Sequence, residues 1–171
     1  MKTTPFLLAA CSLLIASAGL TSETNKATVK PGEKTMNAPS VSLGYVVLYV
    51  KDVSASLKFY EEAFGLTRRF FNDDHGKAYG ELETGAARLA FYSLELANEH
   101  SKQGIAVATS DKGPLGFEIS LVTSDVPALY ARAVKAGATA VSAPEAKPWG
   151  QTVAYLRDKD GHLVALGTPL P

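Results

Sequence analysis

Along residues 43–50 apolar side chains fill both phases of an alternating pattern. Val46, Leu48 and Val50 lie on one side and Tyr45, Val47 and Tyr49 on the other, which predicts a strand with two different, partly buried faces. After Asp52 the spacing changes: Val53, Leu57, Tyr60 and Phe64 recur at three-to-four intervals, the stripe of a helix that Asp52 caps and Gly65 ends. Residues 67–72, 78–84 and 88–94 then read as three strands, set apart by the turn-forming clusters Asn72-Asp73-Asp74-His75-Gly76 and Gly85-Ala86. The same plan returns. Residues 117–123 alternate Phe117, Ile119 and Leu121 against Glu118, Ser120 and Val122; Asp125 caps a helix with Pro127 in its first turn and Val126, Leu129, Tyr130, Ala133 and Val134 as its buried stripe, ending at Gly137. Residues 140–142, 151–157 and 163–167 are the remaining strands, the last two joined by a hairpin turn at Asp158-Lys159-Asp160-Gly161. In both copies the side facing the helix is apolar, while the other mixes Tyr, Glu, Ser and Val. Such a mixed face suits a mostly apolar binding surface with a few polar groups that fix orientation.

Composition narrows the class of partner. Of 171 residues, 46% are hydrophobic and 20% charged, ordinary for a globular chain, and 17 basic against 17 acidic residues leave no basic excess to draw it onto nucleic acid or an anionic membrane. The single cysteine, Cys11, lies in an apolar N-terminal run, so the globular part has no thiolate and no intrachain disulfide. Lys2, the apolar run 6–20 and Ala16-Ser17-Ala18 before Gly19 fit a secretory signal over residues 1–18, too short to span a bilayer comfortably. On that reading the mature protein is periplasmic or secreted; translation from Met36 would leave it cytoplasmic. Leu8-Ala9-Ala10-Cys11 resembles a lipoprotein box, with only a few apolar residues ahead of it. Residues 19–40, polar and punctuated by Pro31-Gly32 and Pro39, read as a flexible linker. The globular domain is expected over 41–171, as modules 41–95 and 115–169 with a polar surface connector at 96–114.

The repeated strand, helix and three-strand unit, the Asp-Val pair opening each helix, the FYEEAFGL run closing the first and Asp158-Lys159-Asp160-Gly161 before the last strand resemble the vicinal oxygen chelate superfamily, which includes glyoxalase I, extradiol dioxygenases and the bleomycin resistance proteins. The resemblance implies an α+β fold: two tandem βαβββ modules forming a curved mixed sheet around a concave cleft, helices on the outer face. It lies nearest the bleomycin-resistance-like branch, through Lys147-Pro148-Trp149-Gly150-Gln151. Metal-dependent members take ligands from the first and last strand of each module. Matched on the helix caps, the first-strand positions are Tyr45 and Glu118; the last-strand position in the second module is Ala165, and in the first either Ala90 or Tyr92. Glu118 is then the only plausible metal ligand left, too little to hold a divalent cation firmly. No cofactor is expected. His75, in a turn, His100, in the connector, and His162, after the turn glycine, form no paired spacing and read as surface histidines.

The expected site is therefore a ligand-binding cleft lined by Tyr45, Glu118, Trp149, Tyr92 and Tyr155, with Glu118 accepting a hydrogen bond from Tyr45 or from a ligand and Trp149 as a flat wall. Phe70 is a further aromatic candidate, whereas Arg68, Arg69, Glu81 and Glu83 read as solvated or cross-strand charges. No catalytic residue is assigned. The function expected is binding of a small organic molecule in a metal-poor cleft, as in drug or toxin sequestration. The rival is a metal-dependent lyase, isomerase or dioxygenase-like enzyme of the same superfamily. The resemblance also implies a homodimer, while the balanced charge and the short apolar run point to no nucleic acid partner and no stable membrane span.

Overall fold

A computed structural model describes residues 40–170; the signal and most of the linker expected from the sequence lie outside the described residues. The first module is β1 (Tyr45–Val50), α1 (Val53–Phe64), β2 (Thr67–Asp74), β3 (Lys77–Glu83) and β4 (Arg88–Ser93), followed by a short helix α2 (Leu94–His100). The second is β5 (Glu118–Val122), α3 (Val126–Lys135), β6 (Thr139–Ala146), β7 (Thr152–Arg157) and β8 (Leu163–Gly167). The strands form two four-stranded sheets of identical topology, β1-β4-β3-β2 and β5-β8-β7-β6. In each the first strand runs parallel to the last and the other pairs are antiparallel. This is the α+β architecture of two βαβββ modules. The sheets remain open, with β1 and β5 each at an unpaired edge.

The helices begin as the sequence dictates. Asp52 accepts from the Ala55 amide (2.9 Å) and Asp125 from the Ala128 amide (3.0 Å), supplying an acceptor to donors that lack intrahelical partners. Val53, Leu57, Tyr60 and Phe64 are all buried. In α3 only Val126 and Ala133 are fully buried, and Val134, expected in the stripe, is 40% exposed. One core runs through both modules, from Leu48, Leu57 and Phe91 to Val126, Leu156 and Leu166.

Three readings of the sequence are corrected. The stretch expected to be connector begins as α2: Ser93, capping the Leu96 amide (3.2 Å), starts a helix whose Ala97 is fully buried. β6 continues past Ser142 to Ala146 through Pro144, which an edge strand tolerates because it need not donate on its outer side. His162 is no surface histidine; it is 2% exposed.

Polar contacts tie the modules together. The Tyr60 hydroxyl of α1 donates to Asp158 Oδ2 (2.9 Å) in the β7–β8 turn, and Ser56 Oγ lies 2.5 Å from Asp160 Oδ2. In return Arg132 of α3 donates to the carbonyls of Glu62 (2.7 Å) and Glu61 (3.1 Å), capping the C-terminus of α1.

Candidate functional site

Strand register settles which positions correspond. Ala165 pairs with Ser120 and Tyr155; in the first module Ala90 pairs with Val47 and Glu81. Val47 and Ser120 stand at the same place relative to Asp52 and Asp125, so Ala90, not Tyr92, is the counterpart of Ala165. The four positions at which metal-dependent relatives would hold ligands are thus Tyr45, Ala90, Glu118 and Ala165. The two alanines offer no donor atom, and among the described residues no three His, Cys, Asp or Glu side chains are grouped to hold a metal. The residues do not fit a divalent metal centre.

Between the unpaired edges of the two sheets lies a recess of about 550 Å³. Val46, Arg88 and Leu89 come to it from the first module and the whole of β5 from the second, with Phe64, Leu66 and Leu129 from the helices and the turn after α1. The apolar side chains follow from parity: Val46, Leu89, Ile119 and Leu121 belong to the core-facing phase of their strands, and all but the buried Leu89 are left partly accessible where the two sheets fail to meet. Glu118 and Arg88 bring charge to this lining. Glu118 is exposed and accepts from Ser120 Oγ (2.9 Å), its neighbour on the same face, where the sequence suggested Tyr45.

Arg88 also lines a second recess of about 550 Å³, on the face of the first sheet away from α1, with Arg69, Phe70, Tyr79 and Glu81. Glu81 organises it. Arg69 Nε (3.4 Å) and Arg88 Nε (3.6 Å) pair with Glu81 Oε2, and the Tyr79 hydroxyl donates to Oε1 (2.5 Å). With its side chain 15% exposed, Glu81 is far better shielded than a solvated strand charge. Burial, then the hydrogen bond and charge of Glu81, push the Tyr79 hydroxyl well above its ordinary pKa, so it remains a donor. Aromatic rings extend the surface. Tyr92 meets Tyr79 (4.9 Å) and Tyr49 (6.1 Å) edge to face, and Phe70 lies 6.0 Å from Tyr79.

Of the residues singled out from the sequence, Tyr92 belongs to this aromatic cluster and Tyr45, 55% exposed, pairs with Arg88 across β1 and β4. Glu118 lies in the recess between the sheets. Tyr155 is half-buried on β7 beside Ala165, and Trp149, 55% exposed, sits in the β6–β7 turn with its indole N–H on Gln151 Oε1 (2.9 Å). Neither recess is lined by all five. The sequence reading passed over Tyr79 and Arg88 and took Glu81 for a solvated or cross-strand charge; it is a cross-strand one, and the alternation Tyr79, Glu81, Glu83 already placed three polar-capable side chains on one face of β3.

The fold and the vacant ligand positions define a member of a large, chemically diverse group of paired βαβββ proteins. Residues 42–166 match the Glyoxalase/Bleomycin resistance protein/Dioxygenase superfamily, and the chain belongs to that family. It is 30% identical over 127 residues to uncharacterized proteins of Mycobacterium bovis and Mycobacterium tuberculosis, covering 72% of this chain and 80% and 72% of theirs. Among solved structures it is similar to a glyoxalase-related enzyme from Fulvimarina pelagi (26% identity, TM-score 0.62, covering 75% of this chain and 88% of that one). It also shares its fold with a family member from Burkholderia phytofirmans (21% identity, TM-score 0.59, covering 76% and 100%).

Proposed function

We propose that the protein binds a small, largely apolar organic molecule without a metal, as a sequestering member of its family. The observation that carries this reading is an apolar recess, with the opposite charges of Arg88 and Glu118 in its lining, running between strands whose metal positions hold Tyr45, Ala90, Glu118 and Ala165. A ligand there would bury its apolar body against Val46, Leu89, Ile119 and Leu121 and take its orientation from the two charged groups. The aromatic face reached through Arg88 offers a flat surface for an extended ring system.

The same reading includes a homodimer and export. β5 is an edge strand flanked by Phe117 (41% exposed) and carrying Val122 (68%), and Val41 and Leu43 (93% and 67%) stand open before β1. Open edges with this much apolar surface favour a second copy as their cover. Sequencing the N-terminus of protein from a periplasmic fraction tests export, for which a mature chain starting after residue 18 is expected; a cytoplasmic chain starting at Met36 would contradict it.

Metal analysis of the purified protein and of Glu118→Ala tests the central reading. Substoichiometric metal in both is expected. Stoichiometric metal that disappears in Glu118→Ala would replace it with a metal-dependent lyase, isomerase or dioxygenase-like enzyme.

A further inference from the structure

The β7–β8 turn fixes one ring nitrogen of a histidine as a donor. Asp158, 2% exposed, has every acceptor position used: Oδ1 accepts from the amides of Asp160 (3.0 Å) and His162 (2.8 Å), and Oδ2 from the Tyr60 hydroxyl (2.9 Å) and His162 Nδ1 (2.9 Å). Burial, and after it the charge of Asp158, hold the Tyr60 hydroxyl well above its ordinary pKa, so it stays a donor. A carboxylate surrounded by donors leaves His162 Nδ1 no role but that of a donor as well. The neutral imidazole therefore carries its proton on Nδ1 and presents a lone pair at Nε2.

That lone pair has no partner among the described residues. The one fully enclosed side-chain nitrogen or oxygen without a hydrogen bond there is Thr109 Oγ1, so His162 Nε2 keeps an open side even though the residue is 2% exposed. His162 borders a cavity of about 230 Å³ whose other walls include Val47 from β1, Ile105, Val107 and Leu115 from the connector, and Phe117, whose ring lies 5.9 Å from the imidazole. The connector is fastened over this place. Arg157 donates to the carbonyls of Thr109 (2.7 Å), Lys112 and Gly161 (Nε, 3.0 Å), and Gly161 allows the close approach, since a Cβ there would stand 2.5 Å from the Thr109 carbonyl carbon.

We propose that this cavity is a second ligand site, one that takes a single-ring phenol with its hydroxyl donating to His162 Nε2 and its ring among the apolar side chains. An apolar cavity of roughly 150 Å³ admits benzene, so the larger volume here leaves room for a hydroxyl and a methyl group. A carboxylate would fit less well, because the lining is mostly apolar and desolvating a full charge costs more than desolvating a phenol. The site is independent of the recess between the sheets.

The test is a titration of the wild-type protein, carrying ¹⁵N-labelled histidine in mildly alkaline buffer, with p-cresol and with p-xylene. His162 is expected as the Nδ1–H tautomer. p-Cresol should move its Nε2 resonance saturably, while p-xylene should bind about fivefold more weakly, the worth of one net hydrogen bond, and leave Nε2 in place. Leu115→Trp, which fills the cavity, should abolish the response, and Phe70→Ala, on the aromatic face, should not alter it. No saturable shift with p-cresol, equal affinity for the two probes, a proton on Nε2, or a response that survives Leu115→Trp or depends on Phe70 would overturn the proposal.

Discussion

Asp158 is the residue on which the two modules converge, because Tyr60 reaches it from α1 while the rest of its bonds come from its own turn. Asp158→Ala strands four donors, three of them buried, and is expected to cost at least about 3 kcal/mol in urea denaturation. Tyr60→Phe removes one charge-assisted bond and should cost about 1.5–3 kcal/mol at neutral pH. The same tyrosine sets an alkaline limit. Its folded pKa is raised, so above about pH 10, where an unfolded tyrosine ionises, the unfolded chain holds fewer protons than the folded one and stability falls as pH rises. Stability followed from pH 8 to 11 should decline less steeply in Tyr60→Phe than in the wild type; identical slopes would contradict this. Tyr60 was legible in the sequence as part of a helical stripe, and Asp158 as a turn residue. Their bond was not, since nothing local links an α1 hydroxyl to a turn in the other module. For the same reason His162 read as a surface residue: the cues beside it were a turn glycine and charged neighbours, while β1, the connector and Phe117, which surround it, come from elsewhere in the chain.

Among the elements, periodicity identified every strand and both long helices, and the repeat made Tyr45 the counterpart of Glu118 in register. It missed α2, whose seven residues carry Glu95, Asn98, Glu99 and His100 and bury only Ala97, leaving too little apolar period to notice. It also stopped β6 at Ser142, short of Pro144, where the edge position removes the usual penalty. The connector has no periodicity because it is held by side chain–backbone bonds from Arg157 instead of by a ladder. Arg157→Ala should therefore raise amide hydrogen exchange across residues 105–112 while leaving β7 and β8 protected. Gly161→Ala joins two penalties at one atom, a left-handed φ of 97° and the Thr109 backbone. Backbone strain alone is worth roughly 1–3 kcal/mol, and the clash should lower the melting temperature further than Gly76→Ala, where φ is 91° but no atom lies within 4 Å.

On the scale of the whole molecule, two open sheets share one core and leave their first strands as edges on either side of an apolar recess. Sedimentation equilibrium should report a dimer, and Val122→Lys, which sets a charge on the free edge of β5, should shift it toward monomer. Family membership fixes the scaffold; the chemistry must come from the side chains on it, and here the two last-strand positions are alanines, which carry no side-chain donor atom. On the proposed reading, what remains is a surface suited to shape and apolar area, with Arg88 and Glu118 in its lining. The most direct test is calorimetric titration of the chelator-dialysed protein with 2-naphthoate, a flat apolar probe whose carboxylate can meet Arg88, repeated after zinc or manganese is restored. The account predicts saturable binding of equal affinity in both states, weakened about tenfold by Arg88→Ala. Binding that appears only when metal is restored, or none in either state, would contradict it.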